Sequence, residues 1–234
     1  MIDSAYENFA SGVESALGHN PLGDGPPNTE LKGAFRSSYP VFEWCRAIRT
    51  PRHSTFFLAE IHSALSVSLS LSAVGLYHSA HIQLRYASEC LYSFLYFRDH
   101  PRELELVLAG RDLWDQTRPR AVGRFLRQLP EFSSEIAKAL IDQLDAAYGH
   151  LSGFVHPRNP QRMSLSRHLA DLRINTDQAK EFRGAVESVS KAISGMLCLA
   201  CPREYARAGE LKQFMFTRPL HADQRRHLVR AIRG

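Results

Sequence analysis

The sequence lacks an uninterrupted apolar run of the length that crosses a membrane. Of its 234 residues, 44% are hydrophobic. No run of about 20 apolar residues is free of polar interruption. The nearest candidate, 56–76, contains Glu60, His62 and five serines, so we expect no membrane association. The segment 1–7 has neither the basic nor the apolar region of a secretory signal. We therefore expect a cytoplasmic protein.

The sequence also lacks the motifs of several large enzyme classes. It has no glycine-rich phosphate loop, no H-E-x-x-H pair, no nucleophile elbow and no internal repeat. These absences argue against an ATPase and against a hydrolase built on that elbow. No set of carboxylates, or of cysteines and histidines, has the spacing of metal ligands. We expect neither a metal nor a cofactor.

Cysteines are few, and the four present are scattered through apolar surroundings. In a chain of this length, that pattern is typical of reduced, buried thiols. Cys198 and Cys201 have the C-x-x-C spacing, but no second pair and no β-α-β context accompanies them. Thiol packing is therefore favoured over zinc binding or redox chemistry.

What the sequence does contain is repeated helical periodicity. Apolar residues recur every three or four positions along several long segments, which is the spacing of one buried helix face. The clearest example comprises Phe132, Ile136, Leu140, Leu144 and Tyr148. The sequence predicts an all-α protein: a helical bundle of about five long helices, with an N-terminal helical arm and a basic C-terminal helix. We expect an N-terminal helix and Gly/Pro-rich linker over 1–33, the bundle over 34–202 and the tail over 203–234.

Positive charge is concentrated near the C-terminus. The formal net charge is +5, and residues 218–234, with five arginines and one acid, carry +4 of it. An apolar segment, 214–216, precedes this region and is expected to form a hydrophobic cluster. A second basic stretch spans 158–173. Basic segments of this kind bind nucleic acid or acidic proteins. The predicted nucleic-acid-binding residues are Arg158, Arg162, Arg225, Arg226 and Arg230.

An unusual row of polar side chains begins just before the predicted helix 80–98 and continues along it. The row has spacings of three or four residues and consists of His78, His81, Arg85, Glu89, Tyr92 and Tyr96. Arg85 and Glu89 are four residues apart, so they can form an ion pair on a helix. The row either lines a cleft or is an ordinary solvated face. Its tyrosines and histidines, interleaved with apolar residues, favour the cleft.

The segment 148–157 places two histidines and a serine at the end of another predicted helix. Pro157 cannot easily extend that helix, so His156 lies at its end. Ser152 and His156 share a face if the helix persists that far. His150 and His156 are six residues apart, about 120° around an ideal helix. They meet only if the turn loosens or if a second subunit contributes its own copy. A role in a functional site and a role in capping the helix end both remain open.

The two segments together resemble the HEPN-like superfamily of all-helical proteins, especially its divergent members in bacterial defence and toxin systems. The resemblance lies in Leu-Arg-Tyr-Ala-Ser-Glu at 84–89 with Phe-Arg-Asp-His-Pro at 97–101, and in Leu-Ser-Gly-Phe-Val-His-Pro at 151–157. It implies a metal-independent ribonuclease in which a histidine acts on the ribose 2′-hydroxyl or the leaving group. An arginine four to six residues away steadies the phosphate. The resemblance also implies a homodimer, because two subunits usually bring their motifs face to face.

On this sequence, His156 matches the histidine of that family. Positions 150 and 152 hold histidine and serine where the arginine is expected, so Arg85 on the neighbouring helix is the candidate cation. The predicted catalytic residues are His156, His150, Ser152, Arg85 and Glu89. Three functions remain open: a catalytically inactive subunit that binds RNA or a partner protein, an active ribonuclease using His156, and a plain helical scaffold.

Overall fold

The computed structural model describes residues 2–17, 26–48, 54–113, 117–155 and 175–233. Within these ranges the chain forms eleven α-helices and one short 3-10 helix, Pro130–Phe132, and contains no strand. The predicted all-α fold is confirmed. The helices are α1 (Ile2–Leu17), α2 (Pro26–Ala47), α3 (Phe56–Ala73), α4 (Tyr77–Asp99), α5 (Pro101–Leu108), α6 (Pro119–Leu126), α7 (Glu135–Ser152), α8 (Thr176–Ala200), α9 (Pro202–Arg207), α10 (Glu210–Thr217) and α11 (Ala222–Arg233).

Helix α8 lies at the centre of the bundle and contacts α2, α4 and α7. The side chain of Asn175 caps it by accepting hydrogen bonds from the backbone amides of Asp177 and Gln178 at 2.8 and 3.0 Å. Its apolar stripe is buried along the whole length. Gly195 allows α7 to approach closely, because a Cβ there would lie 2.6 Å from Leu140 Cδ1. The apolar residues of this helix thus recur at helical spacing and face the core.

Helices α3 and α4 form an antiparallel pair joined by a tight turn. Gly75 occupies that turn with a φ of 80°, a conformation that favours glycine. Helix α3 is long and apolar enough to cross a membrane, with a mean hydropathy of 1.3. Leu58, Ile61, Leu65 and Leu69 on α3 are buried in the core. Helix α3 therefore contributes these apolar side chains to the core of the bundle.

Helix α2 begins earlier than the sequence predicted. We expected a linker up to residue 33, but the helix starts at Pro26. Proline is compatible with the first turn of a helix, where its missing N–H has no intrahelical partner to lose. The helix also continues through the buried Pro40. Of the predicted linker, the part at 18–25 lies outside the described residues.

The N-terminal helix α1 contacts α2. Tyr6 is buried against Phe35, with the ring centroids 5.7 Å apart. Asp3 forms an ion pair with Arg36. The predicted N-terminal arm is therefore docked on the bundle through both apolar and ionic contacts.

The chain after α8 folds back onto the bundle. Helix α10 buries Met215 and Phe216, and the Phe216 ring stacks on Trp44 of α2 with centroids 4.0 Å apart. Helix α11 contacts α7 and α8, and its Leu228 is fully buried. The predicted basic C-terminal helix is present and is held to the bundle by this apolar side chain.

Candidate functional site

The row of polar side chains on α4 meets α7 at a cluster of four residues, Arg85, Glu89, Tyr148 and Ser152, which we call the α4–α7 polar cluster. The Arg85 guanidinium donates to the Tyr148 hydroxyl at 2.6 Å and to Ser152 Oγ at 3.3 Å. It also forms an ion pair with Glu89 Oε1 at 2.8 Å. The Tyr148 hydroxyl donates to that same Glu89 oxygen at 2.9 Å. Each member of the cluster therefore contacts at least one other member.

Helical spacing explains this convergence. Arg85 and Glu89 are four residues apart on α4, and Tyr148 and Ser152 are four residues apart on α7, so each pair shares one helix face. The two helices are in direct contact, and Leu84, next to Arg85 on α4, is buried in the core. Ser152 also donates to the carbonyl of Tyr148 at 2.8 Å. The cluster thus lies along the seam between two core helices.

The electrostatics of the cluster keep Tyr148 protonated. Burial raises the pKa of Tyr148, the neighbouring Glu89 carboxylate raises it further, and Arg85 opposes the shift. The side chains of Arg85 and Glu89 are only 19% and 24% exposed. A neutral tyrosine that donates to Glu89 is consistent with a hydrogen-bonded structural network.

The remaining residues of the row also bond across helices. Tyr92 is buried and donates to Asp145 on α7, and Arg127 contacts Asp145 at 3.0 Å and Asp142 at 2.6 Å. Burial is the largest cause that raises the pKa of Tyr92, followed by its bond to Asp145. Tyr96 donates to Glu103 on α5. Much of the row therefore forms interhelical hydrogen bonds.

The row's two histidines pack against Phe154, just after α7. His81 is buried, and its ring stacks on that of Phe154 with centroids 4.0 Å apart. Its Nδ1 lies 2.7 Å from the carbonyl oxygen of Tyr77. His78 meets the edge of the same Phe154 ring at 6.2 Å. These contacts hold the end of α7 against the start of α4.

Three of the five predicted catalytic residues come together, and His150 does not join them. Arg85, Glu89 and Ser152 lie in the α4–α7 polar cluster. His150 is directed towards α8, where its Nε2 lies 3.6 Å from Glu181 Oε1. Two residues on a helix span about 200°, so His150 and Ser152 occupy nearly opposite faces of α7. His156 lies outside the described residues.

The predicted nucleic-acid-binding residues of the tail lie on α11. Arg226 is exposed and pairs with Asp223, and Arg230 is exposed. The guanidinium of Arg225 lies over the ring of Phe214 on α10, 4.7 Å from its centroid. Leu228, which lies between Arg226 and Arg230 in the sequence, is buried. The helix therefore docks on the bundle with these two arginines on its outer surface. Arg158 and Arg162 lie outside the described residues.

The exposure of α10 was not predicted from the sequence. We expected 214–216 to form a hydrophobic cluster, but only Met215 and Phe216 are buried, whereas Phe214 is 54% exposed. Leu211, one turn earlier, is 67% exposed. Their three-residue spacing is the signal that they share a face, but it does not reveal that the face points to solvent.

A cleft of about 620 Å³ lies beside the start of α10. Three cationic side chains, Arg46, Arg207 and Lys212, line it together with the carboxylate of Glu204. Arg46 also pairs with Glu43 at 3.0 Å. The cleft adds positive charge near α10 at a position that the sequence did not predict.

Within the described residues, the candidate site is built from hydrogen-bonding and charged side chains. Cys45, Cys90, Cys198 and Cys201 are free thiols, and all except the half-buried Cys45 are buried. Within the described ranges, no group of three or more histidine, cysteine, aspartate or glutamate side chains is placed to hold a metal ion. Comparison of the chain with protein-family models, curated proteins and solved structures gives no significant match.

Proposed function

We propose that this protein is a cytoplasmic, HEPN-like RNA-binding subunit of a bacterial defence or toxin system, and that it is catalytically inactive. RNA phosphates bind the exposed arginines of α11. The family and the biological system rest on the sequence resemblance, whereas the mode of binding rests on the surface of α11.

The observation that carries this proposal is the orientation of α11. Leu228 is buried against the bundle, while Arg226 and Arg230 are exposed. The two arginines are four residues apart and so lie on one face of the helix. A docked helix fixes the backbone positions of its cationic residues, which lowers the conformational entropy lost on binding. Cations that contact phosphate also release counterions from RNA, which favours association.

The contacts of Arg85 support an inactive subunit. A catalytic arginine must donate to the phosphate as charge develops in the transition state. Here Arg85 is held by Glu89, Tyr148 and Ser152. A phosphate would have to displace the Glu89 carboxylate from this partly buried pair, whereas the Asp223 partner of Arg226 is largely exposed to solvent. His150 contacts α8 instead.

Binding of a fluorescent single-stranded RNA tests this proposal. We expect Arg226→Gln with Arg230→Gln to weaken binding near 0.05 M salt by roughly tenfold for each arginine that contacts a phosphate. Arg120→Gln with Arg124→Gln is the matched control, because it also removes two exposed arginines four residues apart on one helix. We expect the control to bind like the wild type.

Equal weakening by both pairs would contradict the assignment to α11. No RNA binding by the wild type would overturn the proposed function. In that case, capture of an acidic polypeptide that is lost in Arg226→Gln with Arg230→Gln would indicate a protein partner instead. Binding of neither ligand would favour the plain scaffold.

One observation favours an active ribonuclease as the second candidate. Arg85 contacts Ser152, which lies four residues before His156 in the sequence. If His156 supplies the acid or base, cleavage of RNA is expected to resist chelators and to disappear in His156→Ala, because histidine exchanges a proton near neutral pH. Cleavage that survives His156→Ala would exclude this candidate. Absence of cleavage by the wild type supports the inactive subunit.

We also propose a homodimer formed through the helices that carry Arg85 and Ser152. Tyr86 on α4 supports it, because this aromatic side chain is 42% exposed. Light scattering is expected to give the mass of two chains. A monomer at tens of micromolar would contradict this assembly.

A further inference from the structure

Helix α10 exposes a stripe made of Leu211, Phe214 and Arg218, which we call the α10 stripe. The three residues are spaced three and four apart and therefore lie on one face of the helix. Leu211 is 67% exposed and Phe214 is 54% exposed. Large apolar side chains exposed together on one helical face are typical of a binding surface.

Arginines accompany this apolar surface. Arg225 of α11 places its guanidinium 4.7 Å from the centroid of the Phe214 ring. Its Nη2 also donates to the carbonyl of Leu220 at 3.5 Å, which helps to direct the side chain across the gap between α10 and α11. Arg218 is exposed at the C-terminal end of the stripe. The stripe therefore places a half-exposed aromatic ring, with the Arg225 guanidinium over one of its faces, beside the cationic surface of α11.

The opposite side of α10 is firmly held. Phe216 is buried and stacks on Trp44. The Gln213 side chain donates to the carbonyls of Tyr205 and Ala208 at 3.1 and 2.8 Å. These contacts fix the rotation of α10. The ring of Phe214 is thus presented by a helix whose orientation does not need to be established on binding.

We infer that the α10 stripe stacks unpaired nucleobases and that the RNA bound by this protein is single-stranded. The inference deepens the proposed function and rests on it. An aromatic ring beside cations matches a single strand, because bases stack on the ring while phosphates pair with arginines. The cations around the stripe favour a polyanion over an apolar protein surface. In a duplex, the bases are already stacked on one another and their faces are inaccessible to Phe214.

Two substitutions of Phe214 separate stacking from simple apolar contact. Phe214→Leu keeps a large apolar side chain but removes the aromatic face, whereas Phe214→Trp extends that face. We expect Phe214→Leu to bind single-stranded oligouridine roughly 10-fold to 100-fold more weakly. We expect Phe214→Trp to bind at least as well as the wild type. Leu108→Ala, at an exposed apolar position on α5, is the control and is expected to leave affinity unchanged.

Tryptophan fluorescence supplies a direct readout in Phe214→Trp. A base stacked on the new indole is expected to quench its emission on addition of oligouridine, and a duplex of the same length is expected to quench it much less. Phe56→Trp, at an exposed aromatic position on α3, is the matched control and is expected to show no quenching.

The outcomes distinguish this inference from the proposed function. If the wild type binds RNA through α11 but Phe214→Leu binds normally, the inference that the α10 stripe stacks bases is wrong and the proposed function stands. Equal affinity of the wild type for duplex and single strand would also contradict base stacking on the α10 stripe. If the wild type binds no RNA, both the stacking inference and the proposed function are wrong. Circular dichroism of Phe214→Leu excludes unfolding as the cause of weaker binding.

Discussion

Replacing Arg85 with alanine removes three contacts from the α4–α7 polar cluster at once. The guanidinium loses its bonds to Tyr148 and Ser152 and its ion pair with Glu89. Glu89 is then left beside the Tyr148 hydroxyl without the cation that neutralised it. Because these side chains lie between two core helices, we expect the change to destabilise the fold.

The size of the effect follows from the burial of the pair. Breaking a fully buried ion pair costs about 3–5 kcal/mol, whereas an exposed pair contributes about 0–1 kcal/mol. The side chains of Arg85 and Glu89 are 19% and 24% exposed, so solvent screens part of the interaction. We therefore expect Arg85→Ala to lower the free energy of unfolding by about 2 kcal/mol, between these limits.

Urea denaturation followed by circular dichroism measures this change. Arg124→Ala, at an exposed arginine on α6, is the control and is expected to alter stability by less than about 0.5 kcal/mol. Arg85→Lys is expected to fall between wild type and Arg85→Ala, since lysine keeps the charge but lacks the planar fork. A stability of Arg85→Ala equal to that of the control would refute a structural role for the cluster. A loss of RNA cleavage with unchanged stability would instead support catalysis.

Two substitutions and one labelling experiment test other parts of the structure. Leu228→Ala is expected to lower the free energy of unfolding by about 2–5 kcal/mol, because it removes a fully buried side chain. It is also expected to weaken RNA binding by loosening α11. An unchanged unfolding midpoint would contradict the docking of α11 on the bundle. Burial raises the pKa of Tyr77 and of Tyr96 from 10.0 to about 12. The folded state then holds these protons more tightly than the unfolded chain, so stability is full below pH 10 and falls as the pH approaches about 12. Tyr77→Phe is expected to make that fall shallower in alkaline denaturation, and an identical fall would contradict the assignment. Burial raises the pKa of the Cys90 thiol to about 12. This thiol is therefore expected to react with disulfide reagents only after denaturant is added. Rapid labelling of the native protein at Cys90 would contradict its burial.

The helical fold was largely predictable because a helix that buries one face has apolar residues at every third or fourth position. On α8, the apolar residues from Phe182 to Leu197 recur at helical spacing, and the structure buries them. The start of α2 was not predictable from the same signal. Proline and glycine in 18–33 suggested a linker, yet Pro26 is accommodated in a first turn and Pro40 lies inside the helix. Pro40 is buried and α2 packs against α8, and these tertiary contacts are not visible in the local sequence.

The candidate site was predictable only along each helix. The spacing of Arg85 and Glu89 predicted their ion pair, which the structure contains. The partnership with Tyr148 depends on how α4 and α7 are rotated against each other, and periodicity within one helix does not specify this. For the same reason Tyr148 was interpreted as part of an apolar stripe, although its hydroxyl donates to Glu89.

The exposure of Phe214 illustrates a further limit. Three consecutive residues, 214–216, include two aromatic side chains, and composition alone predicts that both are buried. Successive residues on a helix differ by about 100° in direction. Only Met215 and Phe216 face the bundle, and Phe214 faces solvent beside Arg225. The surface that we consider most informative about function thus arose from the orientation of one short helix.

The salt dependence of RNA binding tests the central proposal most directly. Three exposed arginines are available to RNA in this region: Arg226 and Arg230 on α11, and Arg218 at the end of α10. Each contact with a single-stranded phosphate contributes about −0.7 to the slope of log affinity against log salt concentration, so three contacts give about −2. Arg226→Gln with Arg230→Gln is predicted to reduce the slope to about −0.7, while Arg120→Gln with Arg124→Gln is predicted to leave it unchanged. A slope that stays the same in the α11 variant would contradict the assignment of RNA binding to this helix.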